Sequence, residues 1–245
     1  MKVKLIAATE VNPYALRELG YEPSPFTKND DDEYPFGDYD ADELAEFAGR
    51  NCYQSFDRPN PATRENEDYL AHILEVGHES VLEHASATFY IEASRSVLTE
   101  LERHRHLSFS VVSQRYVAAP PLGSHWPPVL SKLPPLDRAY AEDTLAHAED
   151  QAYRSYNALM QIFEANGLPR KQAREAARAV MPNMTNSPMV VTGNHRAWRY
   201  VIKARWHEAA DAEIRELAGE LLTQLREIAP GTYQDIPTTP YSYGG

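Results

Sequence analysis

Residues 103–116 read Arg103-His104-Arg105-His106-Leu107-Ser108-Phe109-Ser110-Val111-Val112-Ser113-Gln114-Arg115-Tyr116. How this stretch leaves a helix and enters a strand sets the expected fold. It gathers three arginines, two histidines, three serines and a glutamine, with no acidic residue among them. The chain around it is acidic, with 24 lysines and arginines against 36 aspartates and glutamates and a formal net charge of -12. A cationic, hydroxyl-rich segment in an acidic chain suits a small anion rather than a broad polyanion surface. Arginine fits phosphate because its planar fork gives two parallel charge-assisted bonds.

Upstream, 85–93 (ASATFYIEA) alternates small, aromatic and β-branched residues and is the clearest strand. Ser94 and Ser96 flank the start of a helix running to about Arg105, with Leu98 and Leu101 on its buried face. On such a helix Glu100 and Arg103 share a face. Arg103, His104 and Arg105 are each turned about 100° from the last and fan across more than half the circumference. One small ligand cannot meet all three, so two ligands, or a ligand and a neighbouring subunit, follow if the helix persists. A basic helix end complementing the macrodipole accounts for one or two of these residues, but not for the serines and arginine that follow. Residues 111–117 read as a strand, with Ser113 and Arg115 on one side and Gln114 on the other.

The length of 245 residues suits one domain, 1–245, with large excursions. The net charge argues against non-specific nucleic-acid binding. Cys52 is the single cysteine, so no intramolecular disulfide is possible. The opening MKVKLIAATEV is too short for a signal-peptide core and reads as a strand over 2–9. No apolar run approaches the roughly 20 residues that span a membrane. A cytoplasmic protein is expected.

Along the rest of the chain, 11–19 suits a short helix, and 22–43, rich in Asp, Pro and Gly, a solvated acidic surface loop or a lid. Asp40 caps a helix carrying Leu44, Phe47 and Ala48 that ends near Asn51-Cys52-Tyr53. A helix over 63–77 places Tyr69, Leu70, Ile73 and Leu74 on one face and stops at Gly77. His78-Glu79-Ser80-Val81-Leu82-Glu83-His84 invites a metal, but the histidines are six apart and Leu82 breaks the H-E-x-x-H pattern, so no metal is expected. Ser80 reads as a helix cap.

Residues 118–135 form a proline-rich irregular connection in which His125 and Trp126 are loop anchors. A long helix over 136–166 has Tyr140, Leu145, Tyr153, Tyr156, Leu159, Ile162 and Phe163 as apolar anchors. Pro169 opens the next helix, RKQAREAARAVM. Lys171 and Arg174 form a solvated basic stripe, and Arg178 at its apolar end is drawn into a site. Residues 189–192 are a strand. In a helix over 194–205, Asn194 and Arg205 lie within about 20° of each other, and Arg196 and Tyr200 nearly opposite. The last helix, about 208–228, buries Ile214, Leu217, Leu221 and Leu222, and 236–245 is a mobile tail. The chain has no G-x-G-x-x-G, so any dinucleotide binds without the Rossmann device.

Arg103-His104-Arg105, seven residues, then Ser113-Gln114-Arg115 resembles the signature of the flavin-dependent thymidylate synthases. GHESVLEH at 77–84, ARAVMPN at 177–183 and VTGNHRAW at 191–198, with an arginine downstream, resemble the same family in the same order. The resemblance implies an α/β fold with a mixed central sheet flanked by long helices. It also implies a homotetramer with FAD sites at subunit interfaces, a small-molecule nucleotide substrate, and no nucleic-acid or membrane partner. The implied reaction methylates dUMP to dTMP, with 5,10-methylenetetrahydrofolate as carbon donor and NADPH reducing the FAD that delivers hydride. Position by position, Ser80, Arg103, His104, Arg105, Asn194, Arg196 and Tyr200 correspond to FAD contacts. Glu100, Arg103, Ser113, Gln114, Arg115, Arg178 and Arg205 correspond to dUMP contacts, Arg205 being the catalytic arginine that stabilises the ionised uracil. His78 falls near the folate or NADPH pocket.

Two positions depart from the pattern. Val111 replaces a polar residue, and Tyr200 stands where members vary between Asn and His. The chemistry agrees with these roles. Uracil must become electron-rich at C5, either through a cysteine adding at C6 or through charge stabilisation by an arginine. Cys52 lies far in sequence from the arginine motif, so no cysteine nucleophile is expected. A nucleotide-binding module without catalysis, and a flavin-folate methyltransferase acting on RNA, are the other classes considered. The net charge disfavours the second.

Overall fold

The alternating stretch at 85–93 forms a strand because every second residue is apolar and can be buried. In the computed structural model, which describes residues 1–22, 40–57 and 60–242, the strands are β1 (Lys2–Ala8), β2 (Ser86–Glu92), β3 (Ser108–Val111) and β4 (Met189–Asn194). The helices are α1 (Pro13–Glu18), α2 (Asp40–Tyr53), α3 (Asn66–Glu75), α4 (Arg95–Leu101), α5 (Pro135–Ala165), α6 (Arg170–Ala177), α7 (His195–Arg205) and α8 (Ala212–Ile228). Ala87, Phe89 and Ile91 on β2, and Met189 and Val191 on β4, are buried.

The strand order is β1-β2-β4-β3. Pairing is antiparallel throughout, which corrects the expected mixed sheet. Thr9 N donates to Ser86 O at 3.0 Å, His195 N to Ala85 O at 3.1 Å, Ser187 N to Ala93 O at 2.8 Å and Val112 N to Pro188 O at 2.9 Å. The physical reason lies in β4. Arriving from far downstream, it inserts between β2 and β3, so the parallel pair that a β2–helix–β3 crossover would form is never made.

The chain divides into two compact units, one of Met1–Lys2, Ile91–Arg103 and Phe109–Val190, the other of Val3–Tyr90, His104–Ser108 and Val191–Gly245. In the second unit α7 and α8 bury Trp198, Val201, Ile202, Ile214, Leu217, Leu221 and Leu225. Trp198 meets Phe89 edge-on with centroids 5.2 Å apart, and its Nε1 donates to Ala87 O at 3.0 Å. Burying an indole while satisfying its N–H is the arrangement such a side chain needs. Ala45, Tyr69, Leu70, Ile73, Val81 and Leu82 form another cluster under α2 and α3. Gly77 ends the α3 turn at φ 73°, which a glycine adopts without penalty.

Most of the expected acidic loop, 23–39, lies outside the described residues. Its last part is no loop: residues 40–43 open α2, and Asp42 is fully buried. Asp42 accepts from Gly231 N at 2.7 Å, Thr232 N at 3.0 Å and Thr232 Oγ1 at 2.6 Å. Burial still raises its pKa to about 6, against the pull of those bonds. The expected mobile tail is also anchored up to Tyr241, whose N donates to Trp206 O at 2.9 Å and whose O accepts from Glu208 N at 2.8 Å.

In the first unit α5 packs on α6 around Tyr156, Ala119 and Ala177, with Leu159, Met160 and Phe163 partly buried. Two of its expected anchors are uncovered by this chain, Tyr140 at 77% and Ile162 at 55% exposed, and Leu136 in the first turn is 86% exposed. The proline-rich connection is irregular, holding two short 3-10 turns, Pro120–Leu122 and Pro128–Lys132. His125 Nδ1 lies 3.2 Å from the Met1 amino group.

Candidate functional site

The expected fan of Arg103, His104 and Arg105 does not form, because α4 ends at Leu101. Ser94 caps its start, accepting from Val97 N at 3.2 Å. Beyond Leu101 the chain continues in turns. Arg103 and Arg105 are exposed, whereas His104 and Leu107 between and after them are buried. Another helical turn would gain a few tenths of a kcal/mol per residue in propensity. Burying the Leu107 side chain gains more, about 1.5–3 kcal/mol, and the turn wins. Gly193 makes room for it, since a Cβ there would collide with the Leu107 side chain and crowd Trp198.

Within the second unit His104 is 7% exposed. Its Nε2 accepts from Arg205 Nε at 3.1 Å, and its ring meets Tyr200 edge-on with centroids 5.5 Å apart. Burial, and then the Arg205 charge, lower its pKa to about 4. The ring is therefore neutral at pH 7. Because Arg205 can only donate, the ring proton sits on Nδ1, and that buried Nδ1–H has no partner. An unpartnered buried donor costs on the order of 1–3 kcal/mol, which a ligand acceptor would recover.

Other expected residues gather on α7 and the 3-10 turn Glu79–Glu83. Asn194 is not helical but is the N-cap of α7, its oxygen accepting from Ala197 N at 2.8 Å. Its amide NH2 remains available to a ligand. Arg196 reaches Glu83 and lies 4.0 Å from Glu79. This brings it to the turn that holds exposed Ser80. Ser80 is not a cap; the residue at that position is His78, also exposed, with no side-chain capping bond. Tyr200 is exposed and Arg205, the last residue of α7, is half-buried.

In the first unit β3 stops at Val111, so 112–117 is a turn rather than the expected continuation of a strand over 111–117. Tyr116 N and Val117 N both donate to Ser113 O, at 3.0 and 2.9 Å. The turn points Gln114 inward, 4% exposed, and leaves Arg115 exposed. Gln114 Nε2 is buried without a partner, as are the hydroxyls of Thr185 and Ser187 in the same unit. Glu100 is half-buried on α4, and Arg178 is exposed where α6 tightens into a 3-10 turn. The expected helix through 181 therefore ends at Ala177. Among the described residues no carboxylate pairs with Arg103, Arg105, Arg115 or Arg178, and no cluster could hold a metal ion.

The model of the thymidylate synthase complementing protein family matches residues 37–231. The chain belongs to that family. It is 71% identical over 243 residues to a probable flavin-dependent thymidylate synthase of Mycobacterium phage L5, covering 99% of this chain and all of the relative. It is 68% identical over 245 residues to the corresponding protein of Mycobacterium phage D29, covering both fully. The flavin-dependent thymidylate synthase of Mycobacterium tuberculosis strain H37Rv is 49% identical over 209 residues, 82% of each chain.

Several polar residues around α7 were not singled out from the sequence. Arg199 is 1% exposed, donates to Asp235 at 2.7 and 2.8 Å and to Thr232 O, and lies 3.7 Å from Glu79. Lys203 reaches the same two carboxylates, at 3.6 Å from Glu79 and 3.5 Å from Asp235. His195 is buried, its Nδ1 3.0 Å from Tyr233 Oη, and burial lowers its pKa to about 4. The four-residue spacing of Arg199 and Lys203 was a usable signal; the distant partners Asp235 and Tyr233 left none. No helix among the described residues is long and apolar enough to cross a membrane.

Proposed function

We propose that this chain is a flavin-dependent thymidylate synthase, converting dUMP to dTMP with 5,10-methylenetetrahydrofolate and NADPH. The observation that carries this beyond family membership is the set of uncompensated arginines. In a chain where acids outnumber bases 36 to 24, Arg103, Arg105, Arg115 and Arg178 have no carboxylate partner among the described residues. Such groups are kept for anions, and the nucleotide and the flavin pyrophosphate are both anions.

The donors present fit both ligands. Arg115, Arg178, Ser113 and the unpartnered Gln114 Nε2 would hold dUMP with Glu100 and Arg103. The unpartnered His104 Nδ1–H, Arg105, Arg103, Ser80, the Asn194 amide, Arg196 and Tyr200 would hold FAD. FAD, once reduced by NADPH, supplies the hydride of the reaction. Arg205 stabilises negative charge on the uracil ring, a fixed positive group acting where charge develops. His104 orients that guanidinium, and because it is neutral it does not weaken the Arg205 charge. With Val111 at the end of β3, only its backbone can serve a ligand.

Cys52 is exposed near the end of α2 and its Sγ lies 3.4 Å from Ala48 O, an arrangement suited to a surface thiol rather than a nucleophile. Cys52→Ala is expected to retain turnover; a folded but inactive variant would reinstate a thiol route. We read 1–245 as one cytoplasmic catalytic domain working as a homotetramer, whose assembly would cover the exposed apolar residues of α5. The test is dTMP formation from dUMP, 5,10-methylenetetrahydrofolate, NADPH and FAD, with each omitted in turn. A protein that binds no flavin and makes no dTMP in the complete mixture is not a thymidylate synthase.

A further inference from the structure

Tyr116 directly follows Ser113-Gln114-Arg115 and is 59% exposed. Three cations converge on it within the first unit. Lys171 Nζ lies 5.0 Å from the ring centroid, the Arg115 guanidinium carbon lies 5.9 Å from it, and Arg174 Nη1 donates to the Tyr116 carbonyl. Lys171 and, less strongly, Arg115 draw the phenol pKa below its usual range. Residue spacing alone reads Lys171 and Arg174 as a solvated stripe. Lys171 is indeed exposed and Arg174 half-buried, but both are turned toward Tyr116. Glu175 stands four residues after Lys171 and could pair with it along the helix, yet Lys171 sits over the ring instead. On α5 the same opportunity is taken, by Arg138 with Glu142 and Arg154 with Asp150. Among the described residues no carboxylate pairs with Arg115, Lys171 or Arg174.

We propose that Tyr116, Lys171 and Arg174, with Arg115 at the edge, form a docking shelf for an extended polycarboxylate, the oligo-γ-glutamyl tail of the folate co-substrate. This site presupposes the thymidylate synthase activity. A compact dianion is best gripped by converging forks shielded from water. Here the cations flank an exposed ring, and one of the three is tied to a backbone carbonyl. Exposed charge pairs are individually weak and screened by salt. An appreciable gain therefore needs several anionic groups in series, and a tail with one carboxylate per residue provides them. Tethered to the bound pteridine, each further carboxylate meets the shelf at high effective concentration.

The experiment compares KM for 5,10-methylenetetrahydrofolate bearing one or five glutamates in the FAD-loaded wild type, Lys171→Glu and Lys171→Arg. In parallel it measures binding of fluorescein-labelled penta-γ-glutamate to the same proteins. The wild type is expected to favour the pentaglutamate by about tenfold at low salt, as two or three exposed pairs would give. Lys171→Glu should abolish both the preference and peptide binding, and Lys171→Arg should restore them. Equal KM values in the wild type, or a preference that survives Lys171→Glu, overturn the shelf. A rise confined to the KM for dUMP or NADPH also overturns it, by assigning the patch to a phosphate. Failure of the synthase proposal looks different, because neither folate would then yield dTMP while peptide binding would still report on the shelf.

Discussion

Two sets of cations in this chain have been given opposite surroundings. On α7, Arg196, Arg199 and Lys203 are all met by carboxylates, from Glu79, Glu83 and Asp235. On the 113–116 turn, on α6 and just past its end, Arg115, Lys171, Arg174 and Arg178 meet none among the described residues. The residue types are the same, and motif matching treats them alike. The difference is what each charge is for. A cation closed off by carboxylates fixes chain segments to one another, and on the proposed function a cation left uncompensated in an acidic chain meets an anion that comes from outside. Arg196 falls between the two, a paired residue with an implied ligand role.

The comparison is most exposed to failure at Arg199. It is buried and bidentate to Asp235, whose pKa it lowers against the effect of burial. Arg199→Ala should cost about 1.5–3 kcal/mol of unfolding free energy, the scale for hydrogen bonds to a charged group, because Arg199 is buried while its partner Asp235 is exposed; chemical denaturation reads it. A loss below about 1 kcal/mol would mean that the α7 carboxylates are not structural.

Arg205→Ala should lower dTMP formation by about 10²–10³-fold, the scale for one group stabilising developing charge, with flavin content retained. The same variant has a titration signature. Removing the Arg205 charge should raise the His104 pKa from about 4, while burial keeps it below 6.5, as NMR titration would show. The sign for stability follows. His104 and His195 are both depressed, so the unfolded chain takes up protons first. Their contribution is full above pH 6.5 and is lost as pH falls toward 4. In Arg205→Ala that acid-sensitive window should narrow.

Much of this was legible in the sequence because period and punctuation are local. The alternation at 85–93 gave β2, and Ile214, Leu217, Leu221 and Leu222 gave the buried face of α8. Failures came where distant packing overrode local preference. The helix through Arg105 lost to burial of His104 and Leu107, and the strand over 111–117 lost to the turn closed on Ser113 O. The site motifs were wrongly arranged, since helical arithmetic presumed a helix that stops at Leu101. Asp42, inside what reads as an acidic loop, could not be told from its neighbours, because its partners Gly231 and Thr232 are contributed from the far end of the chain.

Among the uncompensated cations Arg115 is the sharper probe. Arg115→Ala should raise the KM for dUMP by about 10–100-fold, as expected for a charge-assisted bond to phosphate. Unfolding free energy should change by no more than about 0.5 kcal/mol, because the residue is exposed and pairs with nothing acidic. A large stability loss without a KM effect would place Arg115 with the α7 set.

Arg196 gives the finest test. Its guanidinium pairs with Glu83 while both side chains are nearly half exposed, so Arg196→Ala should change stability by only about 0.2–1 kcal/mol. If the residue also serves FAD, the same variant should bind flavin more weakly, read by fluorescence as the apoprotein is titrated. Glu83→Gln separates the two roles. It removes the competing carboxylate but keeps the arginine, so flavin affinity should hold or rise while stability falls by a similar small amount. If both substitutions weaken flavin binding equally, then the ion pair itself positions the 79–83 turn, and Arg196 acts through Glu83 rather than on the flavin. If neither does, Arg196 belongs with Arg199 and Lys203, and carboxylate pairing alone would tell this chain's structural cations from its ligand-binding ones.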